Sequence, residues 1–190
     1  MLNVVIFGAP GSGKGTQSKL IAEKFNLAHV STGELCRRAI HNNTHEGVIA
    51  KSYIDKGELV PDETIIDMLD SFLEKLPIDK GIIFDGFPRT VAQAEALIEI
   101  MKEHGTKVKV LLNLEVERDE LLARLLKRAE TEDRSDDNME TIKKRLEVYE
   151  KQTLPVIEFY RKKRLYKPIK GIGNIDDIFS RISEVLNSLK

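Results

Sequence analysis

Three things are scarce in this chain, and each scarcity removes a class of function. Cysteine occurs once, at Cys36. Neither a disulfide framework nor an all-cysteine metal site can then be built, and a small packed thiol is expected at that position. Net charge is nearly absent, because 30 Lys and Arg face 31 Asp and Glu to give −1. That balance argues against a general polyanion binder, so no nucleic-acid partner is expected. Long apolar runs are missing as well. None approaches the length of a membrane span, and the first residues do not join a basic stretch to an apolar one. No membrane partner is expected, and the cytoplasm is the expected location. Internal repeats and low-complexity linkers are also absent. What remains is 190 residues, 41% hydrophobic and 32% charged, the size and balance of one α/β domain with insertions.

The most informative stretch is Gly8-Ala9-Pro10-Gly11-Ser12-Gly13-Lys14-Gly15-Thr16. It follows the apolar run Val4 to Phe7 and opens a helix expected over Lys14 to Phe25. Strand, glycine-rich loop and helix form the layout of a phosphate-binding loop. Glycines let successive backbone N–H groups turn inward on one anion, and the following helix aims its positive end at the same point. Lys14 adds a full charge that can reach outer phosphates. The residue after Lys14 is Gly15, and the hydroxyl comes one place later at Thr16, a departure from the strict pattern. No dinucleotide-type G-x-G-x-x-G fits these glycines.

Further along, strands are expected at Leu2 to Phe7, Leu27 to Val30, Gly81 to Asp85, Val108 to Leu114 and Leu165 to Ile169. Ser31-Thr32-Gly33-Glu34 reads as a capped helix start, and residues 33 to 76 as two or three short helices. Asp62 is expected to cap Glu63 to Leu76. Val91 to Lys102 and a leucine-lined segment with Leu121, Leu122, Leu125 and Leu126 are helical. A long helix from about Asn138 should be interrupted at Pro155, and a last amphipathic helix runs from Ile175 to Leu189. Strands alternating with helices imply a parallel sheet. Asp85 ends a strand, where ligands of such sheets gather, and an acid there can hold Mg²⁺ directly or through water. Residues 129 to 137 are polar and read as a surface flap. His41 and His45, four apart, have no ligand partners in pattern and read as solvated. Arg37, Arg89, Arg124, Arg128, Arg134 and Arg145 border the strand ends or the flap, and convergence on one cleft would call for more phosphate than one triphosphate brings.

Together, Gly8 to Thr16, Ser31-Thr32-Gly33, Asp85-Gly86-Phe87-Pro88-Arg89 and Arg134-x-Asp136-Asp137 resemble the motifs of the nucleoside monophosphate kinases. The likeness is closest to the adenylate kinases of the short-lid form, and it spans essentially the whole chain in order and spacing. It implies an α/β, P-loop NTPase-type three-layer fold, a five-stranded parallel sheet wrapped by helices. The core would be 1–30, 61–127 and 138–190, with an NMP-binding insert at 31–60 and a lid at 128–137. The implied reaction is reversible transfer of the γ-phosphoryl group of MgATP to AMP, giving two ADP. By the same resemblance, Gly11, Ser12, Gly13, Lys14, Gly15 and Thr16 wrap the ATP phosphates. Arg124 and Arg128 meet ATP, and Gly173 approaches its adenine. Thr32, Arg37, Glu58, Leu59, Val60, Gly86, Phe87, Pro88, Arg89 and Gln93 hold AMP, while Arg134 and Arg145 bridge the phosphates. Lys14, Asp85, Arg89, Arg124, Arg128, Arg134 and Arg145 are the implied catalytic set. Mg²⁺ would enter with ATP and meet Asp85 through water, and the short, cysteine-free flap implies no structural zinc. A monomer is expected.

The chemistry suits these residues. The nucleophile is a phosphate oxygen, already anionic at neutral pH, so no general base is required and no Ser–His pair is present. Two other readings share parts of the pattern. A UMP/CMP kinase would have the same loop, arginines and short lid; the segment around Gln93 resembles the adenylate form, which carries Gln where UMP/CMP kinases carry Asn, and the Gln amide can pair with adenine's amino group and ring nitrogen together. A P-loop conformational switch would need no second nucleotide, and the guanine-reading N-K-x-D of GTPases is absent.

Overall fold

A computed structural model describes residues 1–76, 80–131 and 136–189. Five strands form one parallel sheet: β1 (Val4–Gly8), β2 (Ala28–Ser31), β3 (Ile82–Asp85), β4 (Val110–Glu115) and β5 (Tyr166–Lys170), in the spatial order β2-β3-β1-β4-β5. β1 is central, and the order reverses beside it. Register places Ile6 opposite Asp85 on one side and Gly8 opposite Leu114 on the other. The loop after β1 therefore leaves the carboxyl edge at mid-sheet, where such folds bind ligands.

Alternation along the strands divides the core in two. Val5, Phe7, Ile82, Phe84 and Leu111 face one side, where α2 (Thr32–His41), α4 (Asp62–Leu73), α5 (Val91–Glu103) and α8 (Pro155–Lys162) supply Cys36, Leu69, Leu97 and Tyr160. Val4, Ile6, Ile83, Val110, Leu112 and Leu114 face the other, against Ile21 of α1 (Lys14–Phe25) and Ile178, Ile182 and Leu186 of α9 (Ile175–Asn187). Helix, sheet, helix is the three-layer arrangement expected. At the amino edge, fully buried Asn3 ties three strands' surroundings together: its amide donates to Thr106 Oγ1 and the Lys107 carbonyl, and its oxygen accepts from the Ile82 N–H.

A smaller cluster joins Ala9, Leu121 and Leu125 of α6 (Arg118–Thr131) to Ile142 and Leu146 of α7 (Met139–Val148). Leu126, expected on the packed face of α6, is 40% exposed instead. Between α7 and α8 lies a π-helical turn, Tyr149–Thr153, and Pro155 starts α8. Proline has no N–H and crowds the carbonyl four residues back, so the α-pattern cannot run through it, and the Leu154 N–H reaches the Tyr149 carbonyl in a wider turn instead. Asp62 does not cap α4. It is the first helical residue, with Pro61 as N-cap and no side-chain cap bond. Among the described residues, no helix is long and apolar enough to cross a membrane.

Two helices over the carboxyl edge, α2 and α3 (His45–Ile54), pack almost backbone to backbone. A Cβ on buried Gly47 of α3 would stand 2.2 Å from the Ala39 carbonyl oxygen. Glycine to alanine in an open helix gains about 1 kcal/mol. Here the overlap should dominate, so Gly47→Ala is expected to destabilise the protein by about 2 kcal/mol, as overpacking does. Thermal unfolding followed by circular dichroism measures it, and a midpoint at or above the parent's would contradict the close packing.

Candidate functional site

The loop from Gly8 to Gly13 rises from β1, and α1 begins at Lys14. Gly13 is the N-cap of α1 with φ 93 and ψ 10, and no side chain caps this end. The first N–H groups of α1 therefore remain open to an anion at the positive pole of the helix. Gly11, at φ 83, allows α6 to sit against the loop, since a Cβ there would be 2.9 Å from the Leu121 carbonyl oxygen. Lys14 folds over the loop and donates to the Gly8 and Ala9 carbonyls at 2.7 and 3.0 Å. Two of its three N–H donors are thus committed within the loop. Burial, with Arg89, Arg145 and Arg128 nearby, pulls its ammonium down to about 7, while Asp85 works the other way.

Asp85 stands at the end of β3, next to β1 in the sheet as the expectation required. Its Oδ2 lies 3.6 Å from His29 Nε2 on β2, too far for a hydrogen bond. Burial pushes the carboxyl upward, but His29, Lys14 and Arg89 together outweigh it, and the group is held below the usual carboxylate range. An ionised acid facing the phosphate loop suits a hard divalent cation that brings most of its own oxygen ligands. Among the described residues, no three His, Cys, Asp or Glu side chains cluster in the manner of a protein-only metal cage.

The arginines do converge. Arg37, Arg89, Arg124, Arg128 and Arg145 all line one cleft of about 1100 Å³ together with Lys14 and Asp85. Arg124 bridges the loop and the far strand, donating to the Ser12 and Gly171 carbonyls at 3.4 and 3.1 Å. Arg128 grips Asp137 through two bonds. Arg145 meets Asp136 at 2.6 Å and Asp137 at 3.1 Å. Burial lowers the Arg145 guanidinium pKa, aided by Arg89 and Arg128 and opposed by Asp136 and Asp137. Arg134 lies outside the described residues.

The opposite end of the cleft is built by α2, α4, α5 and the turn before α4. Thr32, Arg37, Glu58, Leu59, Val60, Gly86, Phe87, Pro88, Arg89 and Gln93 all line it. Ser31 caps α2 by accepting from the Glu34 N–H, which fixes the start of that wall. The Thr32 hydroxyl donates to the Gly86 carbonyl at 2.9 Å, and Arg89 Nε donates to the same oxygen at 2.8 Å. Gln93 is 2% exposed, not a solvated helix glutamine.

Sequence comparison now adds to this geometry. The adenylate kinase family model matches residues 6–165. A protein named adenylate kinase in Parabacteroides distasonis is 55% identical over 190 residues, covering 100% of both chains. Adenylate kinases of Bacteroides thetaiotaomicron and Porphyromonas gingivalis are 54% and 47% identical, covering 100% of this chain and 100% and 98% of theirs. The chain belongs to the adenylate kinase family.

Within this adenylate kinase family member, most expected site residues share the one cleft: Gly11, Gly13, Lys14, Gly15 and Thr16 at the loop end, and the ten wall residues at the other. Ser12 is buried at 1% exposure and Gly173 stands outside the lining, though Ile175 two residues on is part of it. Cys36 is a packed residue at 3% exposure, its thiol pushed up by burial. His41 and His45 are exposed. Sequence reasoning missed Tyr149 and Thr153 of the π-helical turn, which line the cleft; their only signal is that Tyr149 follows Arg145 by one helical turn. It also missed His29, whose partner is 56 positions away in sequence and adjacent only across the β2–β3 ladder.

The Lys14 shift carries a signed expectation. Unfolded, this ammonium titrates at 10.5; folded and without ligand, at about 7. Between these values the unfolded chain holds more protons, so the stability of the unliganded protein should rise with pH across that window. A triphosphate beside Lys14 reverses the shift, so binding should take up a proton. Calorimetry of ATP binding at about pH 8.5, in two buffers of different ionisation enthalpy, is expected to show uptake of roughly one proton that Lys14→Met abolishes. Equal heats in the two buffers would contradict it.

Proposed function

We propose that this chain catalyses reversible transfer of the γ-phosphoryl group of ATP to AMP, giving two ADP. The observation that carries this reading is the single cleft, which joins a phosphate loop with Lys14 to a second nucleotide-sized wall with Gln93, the arginines standing along it. An oxygen of the AMP phosphate attacks the γ-phosphorus, and the bond to the β–γ bridging oxygen breaks, leaving ADP on each side. A phosphate monoester is already ionised at neutral pH, so no proton must be removed. The work is positioning and neutralisation of spread negative charge. The open N–H groups of α1 and Lys14 hold the triphosphate, Arg124 and Arg128 flank it, and Arg89 and Arg145 serve the phosphate of the acceptor. Mg²⁺ arrives as part of the MgATP substrate, where it neutralises phosphate charge, and ionised Asp85 is the residue suited to meet it through water.

The helical insert 31–60 takes AMP in this reading. The segment 128–137, with Arg134 bridging the phosphates, acts as a lid over the core. Their closure keeps water from competing with AMP for the γ-phosphoryl group. Each chain supplies both walls of its own cleft, so the working unit is taken as a monomer, placed in the cytoplasm, where ATP and AMP are held.

Incubation with MgATP and each nucleoside monophosphate in turn tests the reading. AMP should be converted to ADP with strong preference, and Lys14→Met should lower turnover by at least about a hundredfold while the fold survives, the scale of losing one pre-aimed charge donor. Comparable turnover with CMP or UMP would overturn the choice of acceptor, and ATP hydrolysis indifferent to any monophosphate would overturn phosphotransfer. Two adenosines joined through five phosphates should bind far more tightly than ATP or AMP alone, because one molecule collects both sets of contacts. Affinity no better than that of ATP would mean that the two walls do not act as paired sites.

A further inference from the structure

Both ends of the buried Gln93 amide are committed. Its Oε1 accepts from the backbone N–H of Arg89 at 2.7 Å, and its Nε2 donates to Asp62 Oδ1 at 2.7 Å. These partners decide which end is which. A backbone N–H can only donate and a carboxylate can only accept, so turning the amide over would set donor against donor and acceptor against acceptor. Asp62 is itself held: its other oxygen accepts from the Thr90 hydroxyl at 2.8 Å, and Thr90 Oγ1 accepts from the Gln93 N–H at 3.1 Å. The start of α4 is thereby laced to the start of α5. An amide has two N–H groups and two lone pairs. One of each is spent here, and one of each remains on a side chain that lines the cleft.

We infer that Asp62 is a positioning residue that sets which purine the acceptor site takes, without touching the nucleotide. The inference rests on the proposed role of Gln93 at the acceptor base. With the amide locked, its remaining donor and acceptor come in a fixed order. Adenine presents an amino donor beside a ring-nitrogen acceptor. A 6-oxopurine presents a carbonyl acceptor beside a ring N–H donor, the same pair in reverse. A locked amide satisfies the first and opposes the second, leaving polar groups unpaired in a buried place, which is how a binding site rejects a near-isostere. An unlocked amide would turn over and serve either base. The other anchor of the lock is the backbone of Arg89, whose guanidinium is tied to Gly86, so base reading and phosphate holding share one short segment.

The test compares kcat/KM for AMP and for inosine monophosphate, with MgATP as donor, in the parent and in Asp62→Ala, Asp62→Asn and Glu63→Gln, with a melting curve for each. The parent should prefer AMP. Asp62→Ala should lower the AMP-to-IMP ratio by about tenfold or more, through KM for the acceptor and not KM for ATP. Asp62→Asn should retain most of the ratio, because its oxygen can still accept from Gln93 Nε2 while its N–H₂ donates to Thr90. Glu63→Gln, which removes the neighbouring exposed charge in the first turn of α4, should leave the ratio unchanged. A parent without AMP preference over IMP, a parental ratio in folded Asp62→Ala, or an equal loss in the Asn variant would each overturn the inference. Should Asp62→Ala fail to fold, the Asn variant decides, its retained ratio supporting the acceptor role and its collapsed ratio refuting it. A parent that phosphorylates no monophosphate would sink the phosphotransfer reading and this inference with it, whereas AMP kinase activity with an Asp62-independent ratio would sink this inference alone.

Discussion

Lys14 and five arginines face a single cleft, and that crowding of positive charge governs how the site is built. Two unit charges about 4 Å apart at an effective dielectric of about 20 interact by roughly 4 kcal/mol, whereas an exposed ion pair contributes about 1 kcal/mol or less. Repulsion among these mostly half-buried cations therefore cannot be ignored, and its signature is present. Burial together with neighbouring arginines lowers the affinity of both Lys14 and Arg145 for their protons. A site held in this condition is completed by anions, and polyphosphate is the anion whose charge is spread over the same span.

Before phosphate arrives, acceptors supplied from within hold these cations in place. The Gly8 and Ala9 carbonyls hold Lys14, the Ser12 and Gly171 carbonyls hold Arg124, the Gly86 carbonyl holds Arg89, and Asp136 and Asp137 hold Arg145. Most of these are backbone oxygens at the carboxyl ends of β1, β3 and β5 or just beyond. Backbone carbonyls carry partial charge only, so they orient a cation without cancelling it, and its capacity to stabilise a transferring phosphoryl group survives. Asp136 and Asp137 instead supply full countercharge from the stretch just before α7, where they pair with Arg145.

The sheet was legible because burial on both faces leaves unbroken apolar runs, yet every strand was expected one or two residues early. Leu2, Leu27, Gly81, Val108 and Leu165 open the apolar runs, while the ladders begin at Val4, Ala28, Ile82, Val110 and Tyr166. Apolarity reports packing, and ladder bonds continue past it into Gly8, Ser31, Glu115 and Lys170, where the side chains belong to the functional edge. The phosphate loop, Asp85 and the converging arginines were readable because glycine spacing and strand-end placement have local causes. Asp62 was not. Proline followed by an acid before a helix reads as a cap, and nothing local shows that its carboxylate is claimed by Thr90 and Gln93 about thirty residues away. The π-helical turn was invisible for a related reason: Pro155 announces a break in the α-pattern, but not how the chain will go round it.

Charge and base recognition have to be separate devices in such a cleft. Every nucleoside monophosphate carries the same phosphate, so Lys14 and the arginines cannot tell one from another, however strongly they bind. Discrimination needs neutral groups with a direction, held where water does not compete. Gln93 meets both conditions, since it is buried and its amide is anchored at each end. Placing one anchor on the backbone of Arg89 costs the chain little and has a consequence. In the proposed reading Arg89 grips phosphate and Gln93 reads the base, so the two are held as one piece at the start of α5, and a base seated against Gln93 would bring its phosphate into register with the arginines along the cleft.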